Sequence, residues 1–217
     1  MSENIRIVYE GGQGEIIEKK SRFIADVAWV ESEEEAAAFL ERIRKKYWDA
    51  RHHCSAYVLG DKNEISRCSD DGEPSGTAGR PILDVLVGSG VHNACIVVTR
   101  YFGGVLLGTG GLVRAYSQAA KEGLEQSTIV EQIPGRQILL TCDYNSIGKI
   151  QYIAGNRGYQ AMDSEYSDVV KLTYLVPEEE ADRFCAEITE ATNGRTKMEN
   201  QGAVKFGMLD KEFILFD

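Results

Sequence analysis

The sequence predicts an α+β protein in two domains, and three observations carry that reading. The chain has 217 residues, which at roughly 100 to 200 residues per domain leaves room for one large domain or two small ones. Glycine is dense from Gly72 to Gly111, whereas the part beyond Gly135 alternates compactly. Within Gln132-Ile133-Pro134-Gly135 a Pro-Gly pair follows a long helical pattern and precedes a strand pattern, so a joint is expected there, with domains over 1–132 and 136–217. The second half then reads strand, helix, strand, strand, helix, strand, which is the ferredoxin-like split unit.

In the first half, Ile16 to Val30 reads as strand. Ser32 to Trp48 reads as helix: Ser32 is a capping residue, Glu33, Glu34 and Glu35 fill the first turn, and Arg42, Arg44, Lys45 and Lys46 close it in the order that complements the helix dipole. Ala56 to Leu59 is a strand candidate, Thr77 to Val87 a short helix, Ala94 to Thr99 a buried apolar strand and Leu112 to Gln126 a helix. Such alternation implies layers of helix on sheet. In the second half the elements are Gln137 to Cys142 (strand), Ser146 to Arg157 (helix), Tyr159 to Tyr166 and Val169 to Val176 (strands), and Glu178 to Ala191 (helix), with short strands to Phe216. Pro177 with three glutamates after it marks the last helix start, and Asn193-Gly194 marks its end.

Composition excludes several classes. Hydrophobic residues are 43% and charged residues 27%, an ordinary globular balance. No apolar run approaches the roughly 18 residues of a spanning helix, and no signal-peptide plan opens the chain, so no membrane role is expected and the default location is the cytoplasm. Five cysteines, Cys54, Cys68, Cys95, Cys142 and Cys185, include no C-x-x-C pair, so reduced structural thiols are expected rather than a disulfide framework or zinc knuckle. The net charge is -10, the wrong sign for coating nucleic acid non-specifically, so any RNA contact must use a local patch.

Three segments have residues suited to chemistry. Cys68-Ser69-Asp70-Asp71-Gly72-Glu73-Pro74-Ser75-Gly76-Thr77-Ala78-Gly79-Arg80-Pro81 gathers three carboxylates, which resemble a magnesium cluster but serve equally as acids at a helix N-terminus. If Thr77 is the N-cap, Pro81 falls in the tolerant first turn. Without a second acidic cluster no metal is assigned. Arg100-Tyr101-Phe102-Gly103-Gly104, continuing through Gly108, Gly110 and Gly111 to Arg114 and Tyr116, runs from an apolar strand into a glycine turn and a helix start. Glycines there permit positive φ and close backbone approach, and a helix start offers free amides to an anion. Arg100 and Arg114 would grip phosphate while Tyr101, Phe102 and Tyr116 stack. Alternatively the glycines only permit a tight turn, the aromatics are core, and the arginines pair with Asp70, Asp71 or Glu73. In Arg51-His52-His53-Cys54, alternation puts only His52 and Cys54 on one side, too few ligands for zinc. His92, before another strand, is read as capping a turn.

At these residues the sequence resembles the YigZ/IMPACT family over nearly its whole length. The resemblance rests on Ala50-x-His52-x-Cys54-x-Ala56-Tyr57, on Asp70 to Pro81, and on Val97-Val98-x-Arg100-Tyr101-Phe102-Gly103-Gly104 through Gly108-x-Gly110-Gly111-Leu112-Val113-Arg114-Ala115-Tyr116. It implies an N-terminal domain with the β-α-β topology of a small-subunit ribosomal protein domain, followed by a ferredoxin-like domain. Eukaryotic relatives are translation regulators that compete for a kinase activator through an additional N-terminal domain not found in this chain. No catalytic residues and no cofactor come with the family. The function expected is a cytoplasmic, non-enzymatic protein that binds RNA or the ribosome, or a protein partner in translation control, and modulates translation. The ligand-binding set is His52, Asp70, Asp71, Glu73, Ser75, Gly76, Thr77, Arg80, Arg100, Tyr101, Phe102, Gly103, Gly104, Gly108, Gly110, Gly111, Arg114 and Tyr116. The alternatives are a Mg-dependent phosphate-ester or nucleotide enzyme and a protein-interaction module.

Overall fold

A computed structural model describes residues 4–210 and 212–216. The chain divides into two compact units, Ile5–Glu131 and a second that begins at Gln132. Both mix helix and strand, so the protein is α+β.

The first unit opens with β1 (Ile5–Glu10), β2 (Gln13–Glu18) and β3 (Ser21–Trp29). The single strand expected over Ile16 to Val30 is therefore a hairpin. Its turn is Lys19-Lys20, with φ of 45° and 68°, the doubly left-handed turn that matches strand twist and that Asn-Gly ordinarily signals. Helix α1 (Glu33–Lys46) starts where expected, with the Ser32 hydroxyl accepting from the Glu35 amide at 3.1 Å. Then come β4 (His52–Leu59), β5 (Ile65–Ser69), α2 (Gly79–Gly88), β6 (Val91–His92), β7 (Ala94–Tyr101) and α3 (Thr109–Glu125).

Five of these strands form an antiparallel sheet in the order β2-β3-β7-β4-β5. Along β7 the side chains alternate as a strand requires: Ile96 and Val98 pack with Ile82, Leu86, Tyr116 and Ala119 from α2 and α3, whereas Cys95 and Val97 pack with Phe39 and Ile43 from α1. The sheet is thus buried on both faces. That explains why β7 reads as an unbroken apolar run.

The second unit contains most of β8 (Thr128–Cys142), then α4 (Ile147–Asn156), β9 (Ala161–Tyr166), β10 (Val170–Pro177), α5 (Glu178–Ala191), β11 (Lys197–Leu209) and β12 (Glu212–Phe216). Its strands lie in the antiparallel order β9-β10-β8-β11-β12, which is the ferredoxin-like arrangement with a final hairpin strand added. Ile138, Leu140, Ile150, Leu172 and Phe184 form its core. The Pro-Gly pair is not a turn. Pro134 and Gly135 lie inside β8, opposite Lys205 and Val204 of β11, and pairing across the strand overrides the local signal. A Cβ on Gly135 would come within 2.5 Å of the Val176 carbonyl oxygen, so this glycine serves close packing instead.

Candidate functional site

The acidic loop between β5 and α2 spends its carboxylates internally. Asp70 accepts from the amides of Gly76 at 2.8 Å, Ala78 at 3.0 Å and Gly79 at 2.8 Å, capping the start of α2 across sequence. Burial opposes its ionised form, but these three donors outweigh it and hold the carboxyl below its ordinary range. Asp71 accepts from the His53 amide at 2.6 Å and from the Arg44 guanidinium at 3.2 Å. His52 Nδ1 lies 2.9 Å from the Asp71 carbonyl oxygen; a carbonyl can only accept, so this contact selects the tautomer with its proton on Nδ1 and its acceptor at Nε2. Thr77 donates its hydroxyl to the Pro74 carbonyl at 2.6 Å and is not the α2 N-cap, which is Ala78. Pro81 still falls in the first turn.

Glu73 completes the loop and ties it to β7 and α3. One oxygen accepts from Arg100 Nη1 at 2.6 Å and from the Tyr116 hydroxyl at 2.8 Å. The side chains of this ion pair are only 7% and 4% exposed. The Arg100 guanidinium also lies over two rings, 5.4 Å from the Phe23 centroid and 5.5 Å from that of Phe102. Burial raises the Tyr116 hydroxyl far above its ordinary range, so it remains a donor. The Cys54 thiol is 3.0 Å from the Asp70 carbonyl and 3.4 Å from the Tyr116 hydroxyl, with one proton between two acceptors. Burial likewise pushes this thiol up, which removes the thiolate a nucleophile needs.

Beside this buried cluster is a cleft of about 500 Å³ between residues 49–52 and 100–106. Its position follows from register: His52 sits opposite Arg100 across the β4–β7 pair, so the entry to β4 and the exit from β7 share one sheet end. The exit segment is held by Gly103, where a Cβ would fall 2.1 Å from the Lys20 carbonyl carbon; only glycine fits against that turn. On either side of it the chain is apolar yet uncovered: Phe102 is 54% exposed and Leu106 82%. Trp48, just after α1, is 82% exposed. Tyr101 donates to Asp49 at 2.7 Å, and burial together with that carboxylate pushes its hydroxyl up to about 12. Arg51 and Arg114 are exposed, and neither forms an ion pair with another described residue.

Comparison with known proteins places this site. The Impact N-terminal domain model matches residues 19–124, and the model of a domain of unknown function, DUF1949, matches residues 140–195. The IMPACT family member YvyE of Bacillus subtilis is 43% identical over 189 residues, covering 87% of each chain. This chain belongs to the IMPACT family. A second IMPACT family member, YigZ of Escherichia coli, is 40% identical over 83% of this chain and 89% of its own. The crystal structure of a hypothetical protein, 37% identical, covers 91% of this chain and 97% of that one with a TM-score of 0.60. Both the buried cluster and the cleft lie in the Impact N-terminal domain.

In this IMPACT chain the expected site residues fall into two groups. Glu73, Arg100 and Tyr116 come together, but as a buried internal cluster, so Arg100 is not an open grip for phosphate. The carboxylates proposed for magnesium are likewise engaged: Asp70 and Asp71 by amides, Glu73 by Arg100. Among the described residues no three His, Cys, Asp or Glu side chains are placed to hold a metal. Arg80 is exposed and pairs with Asp84 one turn on, at 2.8 Å; Ser75 and Gly76 are exposed in the loop. Helix α3 starts three residues earlier than the pattern suggested, so Gly110 and Gly111 form its first turn. Gly104 and Gly108 have positive φ, 84° and 71°. Gly108 caps α3 with no side-chain hydrogen bond. His52, Tyr101 and Phe102 line the cleft. His92 lies on β6, paired with Ile7. Asp49 and Leu106 line the cleft too, and no motif in the sequence marks either.

Proposed function

We propose that this chain is a non-enzymatic protein that binds unpaired RNA at the cleft beside β7 and acts in translation. One observation carries the reading: exposed Phe102 and Leu106 line a cleft together with Arg51, and Arg51 and, near the start of α3, Arg114 are exposed without an ion pair to another described residue. Proteins that hold single strands combine cationic side chains with aromatic faces on which bases stack, and sequence-specific RNA recognition mostly targets unstacked bases. The overall charge of -10 fits a local contact rather than a coat. Setting the function in translation draws on the family resemblance described above, in which eukaryotic relatives are translation regulators. The site favours this over phosphate-ester chemistry, because the three acidic side chains that would hold magnesium are engaged by protein donors.

Fluorescence anisotropy with a labelled single-stranded RNA 12-mer tests the proposal. The double variant Arg51→Glu, Arg114→Glu is expected to bind at least about tenfold more weakly than the parent chain at the same salt concentration, with an unchanged thermal unfolding midpoint. Unchanged affinity would overturn the reading.

A further inference from the structure

We infer that the cleft selects an unpaired guanine, read by Asp49. This rests on the RNA reading above and deepens it. An acid at the edge of a site for a polyanion works against phosphate, so its presence calls for a donor-bearing ligand group. Asp49 uses Oδ1 to accept from Tyr101, which fixes the carboxylate; Oδ2 and the second lone pair of Oδ1 remain as acceptors.

The rest of the cleft supplies what a base needs. Phe102 lines it and is backed by the Arg100 guanidinium 5.5 Å from its centroid, which holds the ring in place for stacking. Arg51 offers donors and His52 Nε2 an acceptor. A volume of about 500 Å³ accommodates a nucleoside and falls among ordinary ligand pockets.

The four bases present different edges to a carboxylate. Guanine alone places two donors side by side, N1–H and the N2 amino group, matching two carboxylate oxygens, while its O6 and N7 accept from arginine. Adenine and cytosine each set an acceptor nitrogen beside their one amino group, and uracil flanks its single N–H with two carbonyls. Each of these would bring a lone pair against Asp49 and leave a polar group unmatched, which is the effective way for a site to reject a ligand.

The test uses the full chain and four labelled uridine decamers with guanosine, inosine, adenosine or cytidine at the centre. The guanosine decamer is expected to bind at least tenfold more tightly than the adenosine and cytidine decamers, with inosine, which lacks the N2 amino group, in between. Asp49→Asn should remove that preference, so that the guanosine and adenosine decamers bind the variant within about twofold of each other. Equal binding of all four decamers by the parent chain would overturn guanine selection and leave the RNA reading intact; no binding to any would overturn both. A preference that survives in Asp49→Asn would overturn the role given to Asp49. The inosine comparison needs no variant, so the outcome does not depend on how well a substituted chain folds.

Discussion

Glu73 shows how one side chain can decide what its neighbours are free to do. By engaging Arg100 and Tyr116 together it turns an apparent phosphate grip into a strut between loop, strand and helix. Breaking a buried ion pair from one side leaves an uncompensated charge, which costs roughly 3–5 kcal/mol. Glu73→Ala is therefore expected to lower unfolding free energy by about that much in urea titration; a loss typical of a surface change would show that Arg100 finds water instead. The thiols separate by the same logic of burial. Cys54 and Cys95 are buried, and desolvation pushes Cys95 up to about 12. Cys68 is exposed. A native-state thiol titration with a disulfide reagent should modify Cys68 first and leave Cys54 and Cys95 intact until the chain unfolds.

Among the elements, α2 depends on a cap from nine residues upstream. Asp70 is depressed in the folded state, so its stabilisation is present above the ordinary carboxylate pKa of about 4 and is lost as pH falls through the lower folded value. Asp70→Ala should cost about 0.5–2 kcal/mol at pH 7. The gap between variant and parent should close as the solution is acidified below about pH 4, measured by chemical denaturation across that range. Elements whose evidence is local were the legible ones. Ser32 with Glu35 marks the start of α1, and Pro177 with its glutamates marks that of α5. Where spatial neighbours decide, the pattern misled: Lys19-Lys20 turns without glycine or asparagine because the flanking strands pair, and Pro134-Gly135 stays extended because β8 is paired. The acidic and glycine-rich segments were recognisable as the residues of interest. Which of their charges remained uncommitted was not, because that depends on partners such as Glu73 and Arg100, 27 positions apart.

For the molecule as a whole, the net charge of -10 and the number of cations that reach phosphate set how association responds to ions. Two phosphate contacts, by Arg51 and Arg114, give a slope of log K against log salt near about -1.4 for a single strand at roughly 0.7 per contact. Anisotropy titrations across a salt series measure that slope, and a value several times steeper would require cations other than these two. The shallow slope traces back to the buried guanidinium of Arg100: matched by the Glu73 carboxylate, it displaces no sodium or potassium from an incoming strand. Binding that relies on stacked rings more than on displaced ions would persist through an osmotic upshift, when cell potassium climbs and purely electrostatic complexes fall apart.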